Sequence, residues 1–305
     1  MYYFVVNPAS RSGKGLKIWE KTEEILKEKK IEYESYILTA PGEAREMAEF
    51  LSLNKTPCTV VIVGGDGTIN EFLSGLPTFE GITLGYLPTG SGNDFARGMH
   101  LPAKPKDALD LILDPEKFRH INIGITSSGD EKKYFAISSG IGFDAAICYE
   151  SNASALKSIL NKIHAGKLIY LINALRMLFA LKPCSMRVLL DDSQLLTFQK
   201  VYFVTAMNMK YEGGGFMLCP KASPVDNYLD LIVVDNMPKA KVLAVLPTAL
   251  FGKHTNFKGV HIYRCRRAVI QSENKACVHM DGEHFGFCKK VSFDLAKEKL
   301  KFIVD

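Results

Sequence analysis

The stretch Val60-Val61-Ile62-Val63-Gly64-Gly65-Asp66-Gly67-Thr68-Ile69-Asn70-Glu71 constrains the fold of this chain more than any other. Four consecutive β-branched apolar residues read as a strand buried on both faces. Glycines and one carboxylate then stop the run. Ile69, Phe72, Leu73 and Leu76 follow at the spacing of one helix face. A strand feeding a glycine loop and a helix N-terminus makes an anion site, because backbone N–H groups and the helix dipole both present positive potential. Asp66 stands inside that loop. A bare carboxylate repels a phosphate, so Asp66 needs a divalent cation or a proton to accept. The loop therefore points to phosphoryl transfer rather than to nucleotide docking alone.

The same grammar fills the first part of the chain. Strands expected at 2–6, 33–38, 59–63 and 82–87 alternate with helices at 14–29, 43–53, 69–76 and 107–113. Such alternation predicts a mostly parallel sheet with helices on its faces. Ligands then sit at the carboxyl ends of the strands. After about His120, short runs at 134–137, 186–190, 201–206, 229–234, 268–271 and 277–280 are separated by turns and read as an antiparallel sheet or sandwich. Helical stretches at 156–181 and 239–251 interrupt them. The expected organisation is an α/β nucleotide-binding domain at 1–120, completed by a returning strand within 293–305. An all-β sandwich-like domain with inserted helices fills 121–292. No Gly/Ser/Pro-rich linker separates them, so direct packing with a cleft as the site is expected.

Composition narrows the functional classes. The start of the chain is too short in apolar residues for a signal peptide before Asn7-Pro8. The longest apolar stretch, 168–181, falls below the roughly 20 residues that span a bilayer. Seven cysteines, an odd number and none in a C-x-x-C pair, favour reduced thiols in the cytosol. Cys277, His279, His284 and Cys288 invite a zinc reading, but their spacing fits no usual site. The net charge is +5 and unevenly spread: residues 151–190 and 236–272 contain no Asp or Glu, yet carry many Lys and Arg. Two readings stand side by side. One is a surface that meets anionic lipid; the other is solvated lysines beside core helices. Nucleic acid is not expected, because no aromatic-interleaved basic stripe appears.

Other motifs add to the first. Asn7-Pro8-Ala9-Ser10-Arg11-Ser12-Gly13-Lys14-Gly15 follows the first strand and suits a phosphate, although an ordinary capped turn would look similar. It is not a Walker A loop, since Gly15 follows Lys14. Pro88-Thr89-Gly90-Ser91-Gly92-Asn93-Asp94-Phe95-Ala96-Arg97 follows the fourth strand, where Asn93 or Asp94 could instead be a helix cap. Asp281-Gly282 reads as a hairpin turn, which leaves Glu283 less well explained. A carboxylate there could accept a hydroxyl proton. Gly213-Gly214-Gly215 reads as a loop, and 223–230 packs oxygen donors closely enough for a hard cation or a turn.

Taken together these motifs resemble the diacylglycerol kinase catalytic domain family, in its short soluble bacterial lipid kinase branch. Sphingosine and ceramide kinases, and more distantly NAD kinases, are relatives. The resemblance implies an α/β domain followed by a β-sandwich domain. It also implies ATP and Mg2+ as cofactors and transfer of the γ-phosphate to a lipid hydroxyl, diacylglycerol by default, to give phosphatidic acid. Candidate nucleotide residues are Asn7, Ser10, Ser12, Gly13, Lys14, Thr39, Gly64, Gly65, Gly67, Thr68, Glu71 and Ser91. Asp66 and Asp94 match carboxylates that act in catalysis by holding magnesium, and Glu283 matches the general base. Ser223, Asp226 and Tyr228 match a second, structural magnesium site. Two departures are visible: Asn122 stands where many members carry Asp, and Ser91 where Thr is usual. The implied setting is cytoplasmic and peripheral to an anionic membrane, with a homodimer possible. Three other readings remain open: another acceptor lipid such as phosphatidylglycerol or a sphingoid base, an NAD kinase-like enzyme, and a non-catalytic nucleotide-responsive lipid-binding protein.

Overall fold

The computed structural model describes residues 1–53, 57–153, 178–180 and 182–305. The helical stretch expected at 156–181 lies almost wholly outside these residues. The chain divides into two compact units, Met1–Ile123 with Ala296–Asp305, and Gly124–Leu295.

The first unit alternates as its sequence periods require. Strands β1 (Tyr2–Val6), β2 (Tyr33–Ile37), β3 (Cys58–Gly64) and β4 (Ile82–Pro88) are separated by α1 (Ser10–Glu28), α2 (Glu43–Leu53) and α3 (Asp66–Ser74). The short helices α4 (Asp94–Gly98) and α5 (Pro105–Leu113) and strand β5 (Lys117–Ile121) follow. Leu300–Val304, strand β15, closes the sheet in the order β2-β1-β3-β4-β15-β5. Every pairing is parallel except β15 with β5. Val60 to Val63 are fully buried, as a central parallel strand requires. Trp19 and Leu26 of α1 join Phe4, Val61 and Val63 in the core of one face. The three loops after β1, β3 and β4 all lie at carboxyl ends, because parallel neighbours share direction.

The second unit is antiparallel throughout. Its strands are β6 (Gly124–Ser128), β7 (Glu131–Phe135), β8 (Ser138–Gly142), β9 (Cys184–Leu190), β10 (Gln194–Met207), β11 (Leu229–Asp235), β12 (Val260–Cys265), β13 (Ala268–Met280) and β14 (Glu283–Leu295). The order is β12-β11-β10-β8-β13-β14-β6-β7, and β9 pairs with both β10 and β13. Long β10 and β13 therefore hold β9 along one half and β8 along the other. Buried residues from these strands, including Val188, Val204, Val233, Ile270, Val278 and Phe293, fill one continuous core. The runs expected at 268–271 and 277–280 are one strand with an irregularity between Gln271 and Ala276.

One helix departs from expectation. The helix expected across 239–251 is α-helical only over Lys239–Val245 and tightens to a 3-10 helix over Leu246–Phe251. Pro247 enters there without an N–H to donate, which ends the α ladder. In α1, Arg11, Ser12 and Gly13 have left-handed φ of 47°, 58° and 87°, so the regular helix starts after them.

Candidate functional site

In the first unit the three glycine-rich loops are tied into one surface. Asn7 donates its backbone N–H to Val63 O at 2.8 Å and its side-chain amide to Thr68 Oγ1 at 3.1 Å. Thr89 donates its N–H to Gly64 O at 2.8 Å, and its hydroxyl meets Ser10 Oγ at 2.7 Å. Gly65 and Gly90 lie backbone against backbone: a Cβ on Gly90 would stand 2.7 Å from Gly65 Cα. Only glycine permits that approach. The left-handed run at 11–13 costs about 1–3 kcal/mol per strained residue, and reversed backbone of this kind turns N–H groups toward a common anion. Ser12, Gly13, Lys14 and Ser91 are exposed, so their donors are accessible to a ligand.

Asp66 begins α3, and its carboxylate receives two backbone donors from α4, the N–H of Asp94 at 2.9 Å and of Phe95 at 3.2 Å. A negative charge is favoured at a helix N-terminus. Asp94 is buried and paired with Arg97 on the same helix. Beneath them Tyr86 donates its hydroxyl to Gly64 O at 3.2 Å. Burial first, then the charges of Asp66 and Asp94, push its phenol well above the usual range, so it stays a donor. The donor chemistry fits magnesium, which takes one or two carboxylates and keeps several waters. Each carboxylate oxygen also has more than one acceptor direction. Asn122 follows β5 and is 2% exposed; its amide adds no charge to this set.

Two expected nucleotide residues do structural work. The backbone N–H and hydroxyl of Thr39 both reach the Glu43 carboxylate at 2.6 Å, and these bonds hold Glu43 below its ordinary pKa. Glu71 accepts the N–H groups of Gly42 and Ala44 through one oxygen. The Glu71 contact caps α2, since Ala44 belongs to its first turn.

In the second unit, Asp281 and Gly282 have φ of 47° and 83°, the signature of a two-residue hairpin turn. The Asp281 carboxylate accepts N–H groups from Ala136, Ile137 and Ser138 at 2.7–3.0 Å, which fixes the turn. Glu283 is exposed directly after it. The four candidate zinc residues do not gather. Cys277 Sγ lies 3.4 Å from His284 Nδ1, while His279 Nε2 turns to Asp144 at 3.2 Å and Glu212 at 3.3 Å.

The group that does gather among the described residues is Asp144, Glu212 and His279, with ligand atoms within 4.8 Å of one another. Burial lowers the His279 pKa, but the Glu212 and Asp144 carboxylates outweigh it and carry it to about 9. Asp144 Oδ2, Thr205 Oγ1 and His279 Nε2 converge over Gly140, where a Cβ would meet them at 2.3, 2.5 and 2.8 Å. Gly213, Gly214 and Gly215, all at positive φ, close a tight Glu212–Phe216 bridge that sets Glu212 in place. The sequence motifs missed Asp144, although Gly140-Ile141-Gly142-Phe143-Asp144 is again a strand, glycine and helix-start carboxylate.

At the second expected metal site, Ser223, Asp226 and Tyr228, the carboxylate has partners of its own. Asp226 accepts the Tyr228 N–H at 3.0 Å and pairs with Arg264, whose guanidinium lies 4.5 Å from the Tyr228 ring centre. Asp226 is paired with an arginine, as Asp94 is with Arg97.

An α/β unit whose three glycine-rich loops interlock beside a carboxylate, followed in the chain by an antiparallel β unit, is an architecture shared by a class of kinases. Residues 1–124 match the profile of the diacylglycerol kinase catalytic domain, and residues 138–297 that of the YegS C-terminal NAD kinase beta sandwich-like domain. The chain thus carries a diacylglycerol kinase catalytic domain, belongs by more than half of its length to the family of the YegS C-terminal NAD kinase beta sandwich-like domain, and is a lipid kinase. It is 29% identical over 288 residues to a diacylglycerol kinase of Staphylococcus saprophyticus, covering 92% of this chain and 88% of that one. A crystal structure of a Bacillus anthracis diacylglycerol kinase superposes with a TM-score of 0.75 at 19% identity, covering 100% and 96% of the two chains. An Archaeoglobus fulgidus NAD kinase in complex with ATP shares the fold at a TM-score of 0.56 and 15% identity, covering 99% and 93%.

Proposed function

We propose that this lipid kinase transfers the γ-phosphate of ATP to the free hydroxyl of diacylglycerol, giving phosphatidic acid and ADP. The observation that supports this most is the interlocking of the loops after β1, β3 and β4 around Asp66, a surface suited to a triphosphate. In the transfer, the lipid oxygen forms a bond to the γ-phosphorus as the bond from that phosphorus to the bridging oxygen breaks. The electron pair leaves on ADP, and the hydroxyl proton passes to Glu283. Asp281 holds the turn that presents that carboxylate. Asp66 and Asp94 would hold magnesium, which supplies neutralisation of the charge on the transferring group. Ser10, Ser12, Gly13 and Ser91 would donate to the phosphates. Peripheral association with a membrane follows from the acceptor in this reading.

The test is transfer of labelled phosphate from ATP with magnesium to diacylglycerol in mixed vesicles, with Glu283→Gln alongside. Labelled phosphatidic acid should appear and fall by about 10²–10⁴-fold in the variant, the usual contribution of a general base. Label appearing only in another lipid would keep the kinase and replace diacylglycerol. Label appearing in NAD instead would replace the lipid acceptor.

A further inference from the structure

The turn between two 3-10 helices of the second unit, Leu246–Phe251 and Lys253–Asn256, carries an apolar tip on a fixed base. Ala249 and His254 on either side are buried, yet Leu250 is 45% and Phe251 73% exposed. Three contacts hold the base. Met217 donates its N–H to Ala249 O at 2.8 Å, and His254 Nε2 meets Leu218 O at 2.9 Å. Gly252, at φ 67°, packs so tightly that a Cβ would come 2.8 Å from Pro220 Cγ. The tip is therefore a rigid projection, and neither apolar side chain belongs to the core.

Charge says what the tip meets. Lys253 follows it directly, and Lys221 follows Pro220 in the supporting loop; both are exposed. Lys241 Nζ reaches Lys258 O at 2.9 Å nearby in the same segment. No Asp or Glu occurs anywhere in 236–272. Single exposed apolar residues are ordinary. An adjacent leucine and phenylalanine, fixed in projection with exposed Lys221 and Lys253 in the flanking sequence, form the amphipathic combination that enters a headgroup boundary. A second copy of this chain suits the patch poorly, because a two-fold contact brings each patch against itself and so sets lysine against lysine.

We infer that Leu250 and Phe251 insert into the surface of an anionic bilayer while Lys253 and Lys221 lie on its headgroups. The inference takes its purpose from the lipid-acceptor reading above, but its readout is binding and not turnover. The full chain is sedimented without ATP, using vesicles of phosphatidylcholine alone and of phosphatidylcholine with equal phosphatidylglycerol. The native chain should bind the mixed vesicles. Leu250→Ser with Phe251→Ser should lower that partitioning about tenfold or more, in line with the burial of two large apolar side chains. Lys221→Glu with Lys253→Glu should lower binding to mixed vesicles and leave any binding to phosphatidylcholine unchanged. Phe251→Trp, which keeps an aromatic tip, should retain binding and show a blue-shifted emission on mixed vesicles, absent from native chain carrying only Trp19. Native-like partitioning of the serine pair, or an unmoved tryptophan emission, overturns the inference. So does a serine pair that alters oligomeric state while binding vesicles normally. Phosphorylation of dispersed short-chain diacylglycerol separates the two readings. A chain that phosphorylates no lipid but binds through Phe251 keeps the docking surface and loses the kinase reading. A chain that phosphorylates lipid but binds independently of Phe251 does the reverse.

Discussion

At the scale of single residues, Asp66 carries the strongest expectation. Its carboxylate accepts two N–H donors from α4. Asp66→Asn keeps one acceptor oxygen, so stability should fall by only about 1 kcal/mol, the worth of one hydrogen bond. Turnover should fall by about 10²-fold or more, as when an electrostatic group is removed from a charged transition state. A thermal melt and a rate measured on the same preparation check the pair of outcomes. The thiols give a second expectation. Burial lifts Cys265 and Cys277 to about 12, and Cys219 is fully enclosed. At pH 8 a thiol reagent should label the partly exposed Cys58, Cys184 and Cys288 while these three react only on unfolding. Residue identity in the glycine loops was legible in the sequence because it is local: a strand, a glycine and a carboxylate sit within a dozen residues. The commitment of Glu71 to capping α2 was not, since it depends on a partner in another element. Asp144, Glu212 and His279 were illegible for the same reason; they meet only after β8, β10 and β13 pair.

At the scale of elements, the parallel order of β1, β3 and β4 does what the alternating periods implied. It sets three loops side by side, close enough for Gly65 to touch Gly90. Gly90→Ala should force those backbones apart and raise the KM for ATP about tenfold or more, with a fall in Tm. Gly214→Ala is the contrast. A Cβ there would meet nothing within 4 Å, so the steric cost lies in its φ of 83°, about 1–2 kcal/mol, with the ATP KM unchanged. Two element-level features escaped the sequence. Arg11 and Ser12 adopt left-handed backbone that their side chains do not advertise. The switch from α to 3-10 geometry before Leu246 was readable in Pro247, but apolar periodicity across 239–251 concealed it.

At the scale of the molecule, the α/β and antiparallel β character of the two parts was legible from strand and helix periods, because each period reports which faces are buried. The closing strand is the feature with the longest reach. β15 lies between β4 and β5, and Leu300, Phe302, Ile303 and Val304 are all buried there. A chain cut after Leu295 should lose amide protection throughout the first unit and cease to bind ATP, while the second unit keeps its protection; hydrogen exchange read by mass spectrometry distinguishes the two. Burying four such side chains contributes about 6–10 kcal/mol, comparable to the whole stability of an ordinary domain. The position of β15 also sets a schedule at the ribosome. The strands β1 to β5 are made first, yet the strand that joins β4 to β5 is made last, after all of the second unit. At about 5–20 residues per second, the nascent first unit waits on the order of ten seconds or more with one edge of β4 open. Slow codons or a chaperone acting in that interval would change the yield of folded kinase without changing the stability of the finished protein.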